Sequence, residues 1–388
     1  MRSGALFFGF GLALCPAFGQ DFLNVGPSGG IYFSGSADDG LGSFRVAIGK
    51  GSLGTLGAVT RAGIGGSSAG LRFKLDHVDL RLNSPPNFLV ISPNSGAVPA
   101  FVNIGLNERI VRGMGPGLYS AYVDFSTIDQ SPATHSGFFV YLTLSPPPAP
   151  VVGSAVNTAS YLSVPSPGAM VSIFGTHLGQ TTATSASYDE FGLYPKSLAG
   201  TTVTFNGIAA PLLFVSTGQV NALVPYGLAG EKTAEVKVTR SWGANSLASA
   251  GFTTALADTS PSIFTATQNG SGQGAILQYP DNSYNSAENP TPRGSVITLF
   301  ATGLGTWTPP LEDGAIHLEI RSPAKPVSLT IGGQPARVIY AGSALYEVAG
   351  LLQINAYVPE GVGSGTQPVV LKVGDNDSSQ QSVTIAIK

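Results

Sequence analysis

The sequence predicts an all-β protein built from antiparallel β-sandwich domains in tandem. Short runs of β-branched and aromatic residues alternate along the chain with clusters of Gly, Pro, Asn and Ser, which is typical of such sandwiches. The 388 residues include 51 Gly and 28 Pro, so the chain turns often. The C-terminal part also carries one strand pattern twice, which indicates two domains of the same fold.

The first residues, MRSGALFFGFGLALCPAFGQ, predict a signal peptide over residues 1–19. Arg2 precedes an apolar stretch from Ala5 to Leu14, and small residues ending at Gly19 suit signal peptidase. The stretch is too short to remain as a membrane anchor. Cys15 is the only cysteine. We therefore expect a secreted or cell-envelope bacterial protein without disulfides.

The composition narrows the partners that we expect. Charged residues make up only 11% of the chain, against roughly 25% in ordinary soluble domains. The hydrophobic fraction of 43% predicts a folded chain with a sizeable core. The formal net charge is −3, and Lys and Arg form no run. This charge pattern argues against nucleic acid and anionic membrane surfaces as partners.

The first domain is predicted over residues 20–144. Its segments FLVISPNSGAVPAFVNIGLN (88–107), GPGLYSAYVDF (115–125) and GFFVYLTL (137–144) resemble the second half of a BACON-type immunoglobulin-like domain. The resemblance implies a sandwich and, by analogy with that family, binding of carbohydrate or mucin. SPPPAP then predicts a stiff polyproline linker over residues 145–151.

Two homologous copies follow the linker. An offset of 126 residues brings PGAMVSIFGTHLG, which begins at Pro167, onto RGSVITLFATGLG, which begins at Arg293. The offset is 134 residues for QVNALVP, which begins at Gln219, and QINAYVP, which begins at Gln353. The larger second offset predicts an insertion near residues 343–350.

Local patterns within the copies predict hairpins. Val171 and Ile173 alternate with other residues, so they share one face of a strand. Asn206-Gly207 and Gly332-Gly333 are suited to the two central positions of a type I′ turn, which require positive φ. Each copy is therefore predicted to be a hairpin-built sandwich.

The repeated QVNALVP motif predicts a scaffold strand. Gln219 and Asn221 share one face of an extended strand, while Val220 and Ala222 share the other. The same alternation recurs over residues 353–359. We expect the apolar face to enter the core and the amides to bond the backbone of a crossing loop.

These motifs are similar to those of known families. The G-x-x-V-x-I-x-G-x-x-L-G stretch, the N-G or G-G hairpin and the late A-x-V-P resemble IPT/TIG immunoglobulin-like domains. Residues 157–388 as a whole resemble the Solibacter-type uncharacterised C-terminal domain of secreted acidobacterial proteins, through motifs such as FGTHLG, SLAG, GQVNALVP and GLLQINAYVP in order. The resemblance implies immunoglobulin-like sandwiches over 152–258 and 259–388, and it brings no known activity.

No motif predicts catalytic residues, a cofactor or a metal site. GSSAG matches the G-x-S-x-G elbow with Ser68 as nucleophile, but no helical pattern follows it. Asp375 and Asp377 offer oxygens to calcium, yet they do not form a complete loop, and a hairpin tip is the favoured interpretation. The histidines lack metal-ligand spacing and predict surface or loop positions. They are His77, His135, His177 and His317.

Two tryptophans are the candidate ligand-binding residues. Exposed aromatic rings stack on sugars or anchor partner proteins. Trp242 should lie at a loop tip, and Trp307 precedes two prolines. Packing against a sandwich end is the alternative for both. Tyr188, Tyr194 and Tyr226 give weaker signals of the same kind.

Three functions are compatible with these features. The leading hypothesis is a secreted, non-enzymatic binding or display module for extracellular polysaccharide or a cell-surface partner, with adhesion as its role. The second is a structural spacer or assembly component without a small ligand. The third is a hydrolase, which requires an acid/base pair or triad that only folding would assemble.

Overall fold

The protein is all-β in the computed structural model, as the sequence predicts. The structure describes residues 23–25, 31–36, 45–48, 52–56, 59–66, 69–82, 86–111, 113–242 and 244–388. The predicted signal peptide lies outside these residues. None of the helices within them has the length and apolar character needed to cross a membrane.

The chain divides into two compact units, residues 1–146 and 147–388. The boundary falls inside the predicted linker. Both predicted C-terminal sandwiches lie in the second unit, so the structure places them in one body rather than in two separate ones.

Within the residues that the structure describes, the first unit has a four-stranded and a seven-stranded sheet, with strand orders β1-β5-β9-β7 and β4-β3-β2-β11-β10-β6-β8. Alternation along the strands buries side chains of both sheets, among them Phe33, Phe73, Ile104 and Phe125. The elements are β1 (Leu23–Val25), β2 (Ile31–Ser36), β3 (Arg45–Ile48), β4 (Ser52–Leu56), β5 (Val59–Gly66), β6 (Arg72–Leu82), β7 (Leu89–Ser92), β8 (Ser95–Ala97), β9 (Ala100–Leu106), α1 (Glu108–Val111), β10 (Gly117–Thr127) and β11 (His135–Ser145).

The first repeat of the second unit has two five-stranded sheets around a core that includes Ile173, Phe205, Val220 and Val238. A short 3₁₀ helix spans Tyr226–Leu228. The strands are β12 (Val151–Asn157), β13 (Met170–Thr176), β14 (Thr184–Ser185), β15 (Thr201–Phe205), β16 (Ile208–Ala209), β17 (Leu212–Val215), β18 (Gln219–Leu223), β19 (Thr233–Trp242), β20 (Asn245–Ala248) and β21 (Phe252–Ala255).

The second repeat has its own core, with Leu299, Ile331, Ile354 and Leu371 among its members. A 3₁₀ helix spans Ser379–Gln381. The strands are β22 (Ser262–Ile263), β23 (Gly272–Gln273), β24 (Ile276–Gln278), β25 (Ser283–Tyr284), β26 (Val296–Thr302), β27 (Trp307–Thr308), β28 (Ser322–Pro323), β29 (Val327–Ile331), β30 (Gln334–Ser343), β31 (Leu352–Tyr357), β32 (Gly365–Val373), β33 (Asn376–Asp377) and β34 (Val383–Ile387).

The two repeats share their strand pairing, as the sequence offset predicts. β13 pairs with β18, which pairs with β17, and β26 pairs with β31, which pairs with β30. In the first repeat Ala210-Pro211 separates β16 from β17, since proline has no N–H for a ladder. In the second repeat β30 runs through this point and is part of one eleven-stranded sheet, while β27 and β28 form a separate two-stranded sheet. The predicted insertion is the loop between β30 and β31.

Both predicted hairpin turns are present. Asn206 and Gly207 have φ values of 49° and 82° between β15 and β16, and Gly332 and Gly333 have 57° and 75° between β29 and β30. Positive φ at both central positions is the requirement of a type I′ turn.

The QVNALVP strand has a structural role, but its amide side chains make different hydrogen bonds from those predicted. Val220 and Ala222 are buried, as expected, but the amides do not bond a crossing loop. Gln219 Nε2 donates to Asn221 Oδ1 at 2.8 Å, and Ser172 Oγ on β13 donates to the same oxygen at 3.2 Å. In the second repeat Gln353 donates to Asn355 at 3.1 Å, and Thr298 does so at 3.0 Å. Each copy therefore carries a side-chain ladder across two strands.

Asn221→Ala should lower the free energy of unfolding by about 1 kcal/mol, because Gln219 and Ser172 lose a shared acceptor. Asn355→Ala should cost a similar amount through Gln353 and Thr298. Chemical denaturation of both variants checks this, with Gln180→Ala at an exposed loop position as control. Wild-type stability in both variants would contradict a structural role for the ladder.

Polar side chains join the two repeats within the second unit. Gln381 Nε2 donates to Ala159 O at 2.9 Å, and Asn157 Nδ2 donates to Ser260 O at 3.1 Å. Ser262 Oγ donates to Ser160 Oγ at 2.9 Å. Gln381 is buried, so its bonds satisfy groups that would otherwise be costly to bury. This network explains why the two sandwiches form one compact unit.

Candidate functional site

The structure does not support Trp307 as a ligand-binding residue. Its side chain is only 2% exposed and belongs to the core of the second repeat, and its Nε1 donates to Ala349 O at 2.8 Å. Trp307 is thus packed in the core, which was the alternative interpretation. Trp242 ends β19 and pairs with Asn245 at the tip of the β19–β20 hairpin, so its predicted place at a loop tip is confirmed. The Trp242 ring is half-buried, and its buried Nε1 has no hydrogen-bond partner among the described residues.

Three other residues singled out in the sequence are Ser68, Asp375 and Asp377. Ser68 lies outside the described residues. Asp375 lies in the turn between β32 and β33, so the predicted hairpin tip is confirmed. Asp377 Oδ1 accepts a hydrogen bond of 2.9 Å from Ser379 N at the start of a 3₁₀ helix. The Ser379 hydroxyl, together with this backbone bond, holds the pKa of Asp377 below its ordinary value.

The sequence predicted surface or loop positions for the four histidines, and the structure shows that not all of them lie at the surface. His177 is exposed in a loop, and His77 and His135 are exposed on strands β6 and β11, where they approach Asp124. His317 lies in a loop, one of the two predicted positions, but it is completely buried. Its ring meets Trp307 edge to face, with centroids 4.6 Å apart.

An open cleft of about 500 Å³ lies between the two repeats of the second unit. This size is within the usual range of small-molecule sites. Its wall in the first repeat is the segment 187–196, and its wall in the second repeat is Glu312 and Asp313. The side chains that bear on its chemistry are Tyr188, Asp189, Tyr194, Lys196, Glu312 and Asp313.

A tight turn shapes the first wall. Asp189 Oδ1 accepts hydrogen bonds from the backbone N–H groups of Phe191 at 3.0 Å and Leu193 at 2.9 Å. Such side-chain bonds to the following backbone fix a turn locally. The turn folds the segment back on itself, and Tyr188 and Tyr194 consequently lie side by side.

Backbone bonds hold the second wall against the first. Tyr194 N donates to Gly314 O at 2.9 Å, and Ile316 N donates to Gly192 O at 2.8 Å. Asp313 Oδ1 accepts from Tyr226 N at 2.7 Å. The cleft is therefore preformed by main-chain contacts between the repeats.

The two tyrosines form the aromatic part of the cleft. Their ring centroids are 6.0 Å apart at an interplanar angle of 73°. Tyr188 is 47% exposed, whereas Tyr194 is half-buried. Burial, with smaller contributions from Glu347 and Tyr188, raises the pKa of Tyr194, so its phenol stays a neutral hydrogen-bond donor. Three carboxylates and one ammonium surround these rings.

The sequence pointed to part of this site. Tyr188 and Tyr194 were weak candidates because aromatic residues in a polar loop segment suggest a binding surface. The carboxylates of Glu312 and Asp313 gave no signal, since they come from the other repeat and only its packing brings them to the tyrosines.

No family model matches the chain, and no curated protein matches it. Among solved structures, a protein of unknown function from Porphyromonas gingivalis W83 is 12% identical, covering 58% of this chain and 97% of that one, with a TM-score of 0.22. The extracellular cadherin domains 1–4 of protocadherin gamma B7 are 10% identical, covering 93% of this chain and 75% of theirs, with a TM-score of 0.20. At such scores neither protein informs the function.

Proposed function

We propose that this is a secreted or cell-envelope binding module without catalytic activity, and that its inter-repeat cleft binds a short stretch of neutral polysaccharide. The exposed Tyr188 ring beside three carboxylates carries the proposal. Sugar rings combine apolar C–H faces with hydroxyl donors. An aromatic ring packs on the apolar C–H face of a sugar, and carboxylate oxygens accept hydrogen bonds from its hydroxyl groups.

The charge of the cleft indicates which glycans suit it. Asp189, Glu312 and Asp313 outnumber the single cation, Lys196. Like charges brought together in a partly desolvated cleft repel each other. A sulfated or uronic-acid polymer is therefore a poor ligand, and a neutral, hydroxyl-rich one is favoured.

A structural spacer is the second candidate function. It is favoured by the polar network and main-chain bonds that lock the two repeats into one body. A spacer needs this rigidity and no small ligand. The two functions differ in whether the cleft is ever occupied.

Glycan arrays followed by calorimetry on the purified chain test the proposal. We expect binding of neutral oligosaccharides, with Tyr188→Ala weakening it about tenfold, since a ring contact contributes roughly 1–1.5 kcal/mol. Tyr284→Ala is the matched control, because Tyr284 on β25 is 70% exposed and lies outside the cleft lining. This control should bind like the wild type.

Two results would decide against carbohydrate binding. One is the absence of any glycan signal together with elongated or self-associating particles in solution scattering, which supports the spacer. The other is equal loss of affinity in Tyr188→Ala and Tyr284→Ala, which would place binding elsewhere.

A further inference from the structure

Four ligand-type side chains of the first unit converge on the outer face of its seven-stranded sheet. Asp124 Oδ2 lies 2.7 Å from His135 Nδ1 and 3.6 Å from His77 Nδ1. Asp76 Oδ2 lies 3.3 Å from His77 Nδ1 and 4.0 Å from His135 Nδ1. All four distances therefore join the same four atoms, which are Asp76 Oδ2, Asp124 Oδ2, His77 Nδ1 and His135 Nδ1.

The ligand atoms of Asp76, Asp124 and His135 all lie within 4.8 Å of one another, which fits three protein ligands of one metal ion. Ligand atoms about 2.1 Å from a tetrahedral Zn²⁺ lie about 3.4 Å from one another. The four measured separations fall on both sides of that value. Two carboxylates and a neutral imidazole would also match the charge of a divalent ion.

The strand register builds this cluster. On β10 Asp124 pairs with His77 of β6, and the next residue, Phe125, pairs with Leu75. Asp76 is therefore the extra residue of a β-bulge. Bulges re-aim side chains, and here Asp76 and His77 both reach Asp124 although they are adjacent in sequence.

The third strand, β11, pairs with β10 on the side opposite to β6 and supplies His135. His135 is the first residue of β11 and pairs with Ser126, which lies two residues after Asp124 on the same face of β10. The three strands that supply ligands are thus neighbours in one sheet. An ion bound here would link the three strands at the end of the β10–β11 hairpin where its loop begins.

Outer contacts orient the carboxylates. Ser126 Oγ donates to Asp76 Oδ1 at 3.3 Å, and Lys74 Nζ lies 3.5 Å from the same oxygen. Both contacts engage Oδ1 and leave Oδ2 directed to the histidines. Asp124 has a side chain only 7% exposed, so its carboxylate is costly to bury without a compensating positive charge. Hydrogen bonds to ligating carboxylates of this kind are typical of metal centres.

From this arrangement we infer that Asp76, Asp124 and His135, with His77 beside the two carboxylates, form a binding site for a zinc-class divalent transition metal. Imidazole nitrogens suit Zn²⁺ and its neighbours, whereas Ca²⁺ and Mg²⁺ prefer oxygen ligands throughout. The site lies in the first unit and does not depend on the proposed cleft in the second. The ligands come from three neighbouring strands, so a bound ion would stabilise the sheet.

Calorimetric titration of the chelator-treated full chain with Zn²⁺ in a non-coordinating buffer tests the inference. We expect one Zn²⁺ per chain, a rise of several degrees in the melting temperature at saturation, and the visible absorption of four-coordinate cobalt with Co²⁺. His135→Gln at the exposed edge and Asp124→Asn should each weaken Zn²⁺ binding about 100-fold or more. Both variants are checked for folding by circular dichroism.

His177→Gln is the matched control, since His177 is an exposed histidine of the second unit. It should bind Zn²⁺ like the wild type. Absence of binding to the wild-type chain would overturn the inference, as would undiminished binding in a folded His135→Gln variant. Preference for Ca²⁺ over Zn²⁺ would overturn the class of metal.

Discussion

Gly303→Ala should destabilise the second unit by at least about 3 kcal/mol. Gly303 has φ +85°, and a Cβ at this position would overlap the carbonyl oxygen of Ser260. The left-handed conformation alone costs an alanine roughly 1–2 kcal/mol. The overlap adds to this because backbone, not a flexible side chain, must move.

The contact extends to the interface between the repeats. Ser260 N donates to Gly303 O at 2.7 Å, and Ser260 O accepts from Asn157 of the first repeat at 3.1 Å. Moving Ser260 would therefore weaken both bonds. The position equivalent to Gly303 in the first repeat is His177, which has φ 55° and is exposed. A side chain is compatible with this turn where the backbone around it is open.

Thermal and chemical denaturation check the prediction. Gly333→Ala is the matched control, because Gly333 has φ +75° but no atom lies within 4 Å of the place that an alanine methyl group would take. It should lose only about 1 kcal/mol. Equal losses in the two variants would show that conformation, and not the approach to Ser260, sets the cost.

His317→Met should remove a steep loss of stability in mild acid. Burial lowers the pKa of His317 to about 4, against 6.5 for a free side chain; the Ala349 backbone opposes this shift, and Arg321 adds to it. Its two ring nitrogens have no hydrogen-bond partner among the described residues. The folded protein therefore keeps this imidazole neutral while the unfolded chain protonates it.

The sign of the pH effect on stability follows from the number of protons that the folded and unfolded states bind. Between pH 6.5 and about 4 the unfolded state binds more protons than the folded state at this residue. The stabilising contribution is complete above pH 6.5 and is lost as the pH falls towards 4. We expect the wild type to lose up to about 3 kcal/mol more than His317→Met over this window.

Denaturation at a series of pH values measures this difference. At pH 7 the methionine variant should be at least as stable as the wild type, because it removes unpaired buried nitrogens and keeps a contact with Trp307. His177→Gln should retain the wild-type pH dependence, since that histidine is exposed. Superimposable pH profiles for wild type and His317→Met would contradict the assignment.

The repeat offsets made most of the second unit predictable. They located equivalent strands, both type I′ turns and the insertion, because each rests on local alternation or on residues that accept positive φ. The partners of Asn221 and Asn355 were predicted wrongly, since a strand pattern shows which face an amide occupies but not which neighbour lies opposite.

Long-range packing limited the prediction of sites. The burial of His317 was not predicted, because nothing near it in sequence shows that Trp307 and the core cover it. Asp76, Asp124 and His135 showed no metal spacing because cross-strand register and a bulge, not a motif, bring them together. The cleft required both repeats to be in place.

The bond from Gln381 to Ala159 joins residues 222 positions apart. Contacts of such long range close late and slow folding, because much chain entropy is lost before they form. The first repeat can build its own core as soon as its strands are available. Its interface with the second repeat must wait for residue 381 to be synthesised, so the surface around Ala159 and Ser160 would stay uncovered until almost the last strand is made.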